Sequence, residues 1–198
     1  MLRKTLYPKV ENLLNRFALR LHQQGFSPNQ LTLAGLGLNF LAGWIYSGGF
    51  LFLGALVVIA AAFGDLLDGP LARTTGRATK FGAFFDSTVD RYSDFFIFGG
   101  LALHFALSQR YGQLLITLGI LMGAVVTSYA KARAENLIED CSVGIFERPE
   151  RVILIVLGTL VSPLLTAVLW ILLIGTNATA IQRILHTRKA AAENRGAA

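Results

Sequence analysis

Four aspartates, Asp65, Asp68, Asp86 and Asp90, stand at intervals of three and four residues in a chain otherwise poor in charge. On helices these intervals place both members of a pair on one face. Asp65 and Asp68 therefore form one inward-looking pair, and Asp86 and Asp90 a second pair on the next helix. Arg73, Thr74, Thr75, Gly76, Arg77, Thr79 and Lys80 form the polar connection between them. It makes the two helices antiparallel neighbours whose carboxylates converge on one spot. In lipid a central Asp costs roughly 2.5 to 3.5 kcal/mol, so four unpaired ones would cost on the order of 10 kcal/mol. Converging carboxylate oxygens suit a hard divalent cation, and magnesium is typically shared between protein carboxylates and substrate phosphates. Salt bridges to Arg73, Arg77 and Arg91 would also neutralise most of the charge, but they would not require this spacing.

The elements that carry these acids are apolar. Of 198 residues, 54% are hydrophobic and 15% charged, which argues for a membrane protein of single-domain size rather than a large soluble core. The net charge of +6 comes from basic residues that punctuate apolar segments. A nucleic-acid binder would instead cluster them on a polar surface with exposed aromatics, so no nucleic acid is expected as a partner. Cys141 is alone, which rules out an intramolecular disulfide or a cysteine metal cluster, and His22, His104 and His186 show no ligand spacing. The N-terminal stretch is amphipathic and does not read as a signal peptide.

Taken in order, residues 5–22 place Leu6, Val10, Leu13, Leu14, Phe17 and Leu21 at helical spacing, with Lys9, Arg16 and Arg20 on the remaining surface. This is the pattern of a helix lying in the headgroup region. Gly25 ends it, and Ser27-Pro28-Asn29 supplies a cap and a proline for a first span over 30–46. Further spans are expected over 50–73, 80–107 and 111–136. Asp94 extends the Asp86 and Asp90 stripe by one turn, as a structural partner for Arg91 or Tyr92. Gly119 and Gly123 form a small-xxx-small pair suited to close helix packing. The apolar stretch 152–182 is resolved by the basic residues, which collect in cytoplasmic loops. For Arg183, Arg188, Lys189 and Arg195 to join the majority, that stretch must cross twice and turn near Ser162-Pro163. The expectation is an all-α integral membrane protein of six transmembrane helices, preceded by the interfacial helix, with both termini cytoplasmic. The fifth span then begins before Val152 and draws Arg148 and Arg151 into a polar cavity. The expected layout is an interfacial helix at 1–25, the six-span domain at 26–190 and a disordered tail at 191–198.

The run Asp65-x2-Asp68-Gly69-x2-Ala72-Arg73-x8-Gly82-x3-Asp86-x3-Asp90 resembles the signature of the CDP-alcohol phosphotransferase (CDP-alcohol phosphatidyltransferase) family at every fixed position, and the hydrophobic layout resembles that family's six-span fold. The resemblance implies an enzyme of the cytoplasmic (inner) membrane with its site facing the cytoplasm. It would transfer a substituted phosphate from a CDP-linked lipid donor, such as CDP-diacylglycerol, to an alcohol and release CMP. It implies Mg2+ (or Mn2+), as two ions, held by Asp65, Asp68, Asp86 and Asp90, with Asp90 also the base for the acceptor hydroxyl. The donor falls to Gly69, Ala72, Arg73, Thr79 and Gly82, and its cytidine to the Pro28-Asn29-Gln30-Leu31 entrance of the first span. The small Gly69 and Ala72 equally suit tight helix packing. The segments around Ser128, Lys131 and Arg133, and around Arg148 and Arg151, are similar to those of prokaryotic phosphatidylinositol phosphate synthases. With Arg188, they imply a cationic pocket for a small phosphorylated alcohol, inositol phosphate foremost, with glycerol phosphate or another polar alcohol as the runner-up. The same basic residues equally fit positive-inside topology and contact with anionic lipid. A homodimer is expected on the same similarity. From a different class, a cation or proton-coupled transporter also carries intramembrane acids, but it favours repeated halves and broken helices, which this chain does not display.

Overall fold

The computed structural model describes residues 14–196. Those residues form helices and connections, with no strand among them. The first helix, α1, covers residues 14–23 of the described chain and buries Leu14 and Ala18 against Leu31, Leu67 and Leu71, leaving Arg16 and Arg20 exposed. Leu6, Val10 and Leu13 of the expected amphipathic stripe lie outside the described residues.

Six longer elements follow: α2 (Pro28–Ser47), α3 (Leu51–Thr74), α4 (Lys80–Leu107), α5 (Tyr111–Ala134), α6 (Arg148–Leu160) and α7 (Leu165–Gly196). The start of α2 is a capping box. Ser27 Oγ accepts from the Gln30 amide at 3.4 Å, and Gln30 Oε1 accepts from the Ser27 amide at 2.9 Å, with Pro28 in the first turn. Gly49, at φ +84°, makes the tight turn into α3. Pro70 sits inside α3, where it lacks an amide to donate, yet the helix continues to Thr74. Thr79 starts α4 by accepting from the Gly82 amide at 2.9 Å.

The stretch after Val152 divides as the charges require. Helix α6 starts at Arg148 and ends at Leu160, a short 3-10 turn occupies Ser162–Leu164, and α7 runs back. Helix α7 continues to Gly196, and residues 197–198 of the tail expected from residue 191 lie outside the described residues. Ala190-Ala191-Ala192-Glu193 are strong helix formers and give the chain no reason to stop.

Packing pairs α2 with α3 and α4, α4 with α5, α5 with α7, and α6 with α3 and α7. The core between them holds Phe98, Leu101, Phe105, Ile120, Ile155, Leu169 and Leu172. In it Tyr46 Oη and Thr159 Oγ1 satisfy each other at 3.0 Å. The pair Gly119 and Gly123 does mark a close approach: a Cβ at either would collide with Leu173, or with Thr176 and Asn177, of α7. Three segments, Leu51–Thr74, Tyr111–Ala134 and Ser162–Glu193, are long and apolar enough to cross a bilayer. Trp44, Phe52, Leu115, Met122, Trp170 and Ile174 stay largely exposed, an apolar surface suited to lipid.

Candidate active site

Helix α3 delivers Asp65 and Asp68 in its last turns, and α4 delivers Asp86, Asp90 and Asp94 in its first half. Two of the four expected acids, Asp65 and Asp90, come together. Arg148 Nη1 lies 2.7 Å from Asp65 Oδ2 and 2.7 Å from Asp90 Oδ1, so oxygens from two different helices flank one cationic nitrogen. Asp68 Oδ2 lies 3.2 Å from Thr32 Oγ1 on α2, whose hydroxyl also lies 3.1 Å from the Pro28 carbonyl. Asp86 stands one turn ahead of Asp90 on the same helix. Arg91, one of the arginines weighed as a neutralising partner, is joined by a further one from α6. Arg148 supplies the principal bridge and Arg91 reaches Asp90 at 3.4 Å, because α6 enters beside α3 with its N-terminus at the level of the acids.

The third acid of the α4 stripe, expected to partner Arg91 or Tyr92, makes its shortest contact with Arg151 of α6. Asp94 Oδ2 is 2.7 Å from Arg151 Nη2. Arg148 and Arg151, one turn apart on α6, thus face Asp90 and Asp94, one turn apart on α4. Arg151 is 1% exposed, and its Nη1 also donates to the Phe146 carbonyl at 3.3 Å. Arg151, expected to line an acceptor pocket, has its guanidinium buried in this ion pair.

The remaining expected residues separate into groups. Asn29 meets Gly82 and Thr79 where the α2 and α4 N-termini come together: a Cβ on Gly82 would lie 3.2 Å from Thr79 Oγ1 and 3.9 Å from Asn29 Oδ1. Gln30 and Leu31 are turned to other work, since Gln30 closes the capping box and Leu31 packs against Leu67 and Leu71. Arg73 is close to Gly69, its Nη1 3.4 Å from where a Gly69 Cβ would stand. On α5, Ser128 Oγ donates back to the Ala124 carbonyl at 3.1 Å, and Lys131 Nζ lies 4.0 Å from Glu147 and 3.9 Å from Glu135. Arg133 and Arg188 do not join them. They line a separate groove of about 480 Å³ between α5 and α7, with Tyr129, Leu137 and Ile184, and none of the four aspartates reaches it.

Three contributors are missing from the sequence expectation. Thr32 holds Asp68, as above. Gly35, one turn along α2, leaves room for Asp65, because a Cβ there would stand 2.7 Å from Asp65 Oδ1. A polar and a small residue one turn apart in an apolar helix are the signal that could have found them. Arg183 is 3% exposed, and each of its nitrogens is used. Nε donates to the Val143 carbonyl, Nη1 to the Thr127 carbonyl and Nη2 to Glu147 Oε1, each at 2.9 Å. Glu147 is the N-cap residue of α6, so Arg183 fixes the connection that delivers Arg148.

This donor set is chemically right for a hard divalent cation: oxygens only and anionic, with those of Asp65 and Asp90 meeting at one positive nitrogen. Among the described residues, no three acidic, histidine or cysteine side chains stand as a ready cage. The place between Asp65 and Asp90 is occupied by the Arg148 guanidinium.

Residues 26–184 match the CDP-alcohol phosphatidyltransferase family, and the chain belongs to it. It is therefore a membrane transferase of phospholipid biosynthesis, which sets the transporter alternative aside. Its relatives include the phosphatidylinositol phosphate synthase of Streptomyces avermitilis, 36% identical with 98% of this chain and 85% of that one covered. The archaetidylinositol phosphate synthase of Pyrococcus horikoshii is 37% identical, with 92% and 94% covered. The Mycobacterium tuberculosis phosphatidylinositol phosphate synthase, 35% identical, superposes with a TM-score of 0.82 in its structure with CDP-DAG bound, over 89% of this chain and 93% of that one. Its complex with manganese and citrate superposes with a TM-score of 0.81, over 88% of each chain.

Proposed function

We propose that this enzyme transfers the phosphatidyl group of CDP-diacylglycerol to inositol phosphate in a divalent-metal-dependent reaction, with CMP as the leaving group. The observation that carries the reading is the meeting of Asp65 and Asp90, from separate helices, at a single cation position. The identity of the relatives supports the acceptor, and the CDP-DAG and manganese found with the mycobacterial enzyme support the donor and the metal class.

In this reading Asp65, Asp68, Asp86 and Asp90 would hold Mg2+ or Mn2+, which when bound would supply positive charge to the donor diphosphate and the departing CMP. The acceptor hydroxyl oxygen attacks the phosphatidyl phosphorus, the phosphorus–oxygen bond to CMP breaks, and CMP keeps that electron pair. Asp90 takes the hydroxyl proton. Arg73, Thr79, Gly82 and Asn29 form the donor side, with Gly69 and Ala72 keeping the α3 backbone approachable. Lys131 and Arg148 supply the positive charge for the acceptor's phosphate. The groove with Arg133 and Arg188 is left out of this pocket.

The chain crosses the inner membrane with α2 to α7 as its six spans and its acidic end at the cytoplasm. Lys131, Arg148, Arg183 and Arg188 all lie on helix ends of the same side when the helices alternate, which is the sign expected of a cytoplasmic face. At 13 residues α6 spans about 20 Å, short of the roughly 30 Å hydrocarbon layer. It therefore starts below the lipid surface, at the level of the aspartates.

The test is CMP release by purified protein in detergent, given magnesium, CDP-diacylglycerol and a panel of alcohols. Inositol phosphate is expected to be preferred. Preference for glycerol phosphate would overturn the acceptor, and no CMP release with any alcohol would overturn the reaction.

A further inference from the structure

Arg148 and Arg151 are one turn apart on α6 and face the same acidic stripe, yet they are held very differently. Arg151 is fixed on two sides, by Asp94 and by the Phe146 carbonyl, with its side chain 2% exposed. Arg148 hangs from one nitrogen. Its Nη1 bridges Asp65 and Asp90, whereas Arg151 engages through both Nη1 and Nη2; the Nε of each arginine is buried without a hydrogen-bond partner among the described residues, that of Arg148 lying 3.9 Å from Asp94 Oδ1. Asp94 Oδ1 is unsatisfied as well. A guanidinium presents five donors in a fixed fork, so a partner matched to Arg148 would engage more than one edge. This contact instead supplies charge at a point.

We propose that Arg148 is an exchangeable counter-cation: it neutralises Asp65 and Asp90 until a divalent ion takes the same position, and ion binding then releases its guanidinium from the acids. The proposal rests on the reading of these aspartates as metal ligands. Its physical basis is that two carboxylates cannot remain buried and uncompensated. One cation replaces another without the cluster ever standing bare. The anchor for the exchange is Arg151, which keeps α6 docked on α4 while the neighbouring side chain moves. Release frees the guanidinium beside the acids, so arrival of the metal and readiness of the positive charge become one event.

Two measurements on the full-length protein in detergent test this. The first is Mn2+ titration followed by the loss of the free-ion electron paramagnetic resonance signal. Removing the resident competitor in Arg148→Gln is expected to tighten Mn2+ binding by about tenfold or more, the usual size of coupling between competing occupants. Lys131→Gln removes a charge that pairs with Glu135 and Glu147 and does not touch the acids. It is expected to change the affinity by less than about threefold, because such a field effect is screened. The second measurement needs no variant: phenylglyoxal labelling of the wild type, read by peptide mass spectrometry. Arg148 is expected to react faster once Mn2+ is added, while Arg151 and Arg183 stay protected. Unchanged or weaker Mn2+ binding in Arg148→Gln, or labelling of Arg148 that Mn2+ leaves unchanged or lowers, overturns the exchange but leaves the metal site standing. No Mn2+ binding to any variant overturns the metal reading and the exchange with it.

Discussion

Arg151 and Asp94 meet at 2.7 Å with both side chains 2% exposed, making a buried ion pair that joins α6 to α4 directly beneath the acid cluster. Taking one partner away leaves the other charged in a poorly solvated place, which costs about 3 to 5 kcal/mol. Arg151→Met and Asp94→Leu are each expected to lower the thermal midpoint sharply. The double variant is expected to recover much of the loss, because two apolar side chains need no counter-charge. Thermal unfolding in detergent checks this, and additive losses in the double variant would show that the two residues act independently.

Asp90 is both a carboxylate beside the shared cation position and the candidate proton acceptor. Asp90→Asn is nearly isosteric and is expected to cut CMP release by about 100-fold or more, the range of a lost general base. Folding should survive. CMP release at saturating donor, beside the thermal midpoint, separates the two effects. A variant with full turnover would remove Asp90 from the base role.

The divalent ion has its own test. Exhaustive treatment with EDTA is expected to abolish CMP release, and Mn2+ or Mg2+ to restore it, with the helical content of the protein unchanged by circular dichroism. Calcium, with its longer and less directional bonds to oxygen, is expected to restore far less.

Gly35 offers a subtler probe. The Cβ of Gly35→Ala would come to 2.7 Å from Asp65 Oδ1, so the carboxylate must shift although the backbone stays in place. Displacements of this size at a reacting centre cost up to about 100-fold in rate. A fall in kcat of about tenfold, with little change in the thermal midpoint, is expected. An unaffected kcat would show that Asp65 has room to adjust.

Arg183 acts at a distance, through Glu147 and the backbone before α6. Arg183→Met is expected to destabilise the protein by about 3 kcal/mol and to expose the connection between α5 and α6 to protease. Limited proteolysis locates the cleavage. The KM for the acceptor should rise more than kcat falls, because the residue delivers Arg148 rather than touching the reacting atoms. Arg183→Lys, which cannot grip three acceptors at once, should rescue only part.

Features set by local periodicity could be read from the sequence. The Asp65 to Asp90 spacing needs only two helices and a short polar connection to bring the carboxylates together. The break at Ser162-Pro163 and the early start of α6 followed from the placement of charges. The rest depends on contacts made across the fold. Arg148 reaches Asp65 over 83 residues of chain, and Arg183 reaches Thr127 over 56, and no spacing rule announces either. Lys131 and Arg133 show the limit most simply. Two steps along a helix turn a side chain by about 200°, so adjacent basic residues with the same topological meaning face different surroundings. Charge counting assigns both to one side of the membrane but cannot say which one reaches Glu147 and which lines the groove between α5 and α7. Arg151 shows the same limit, since a buried ion-paired arginine and a ligand-binding one look alike in sequence until the partner carboxylate is located.

Two of the three groups that Arg183 grips are main-chain carbonyls, those of Val143 and Thr127. A clasp on peptide oxygens is indifferent to the lettering at the positions it holds. Drift at Val143 among apolar residues of similar bulk leaves the grip intact, whereas Arg183 has no such freedom. Tolerance and rigidity are thus unevenly divided across a single contact.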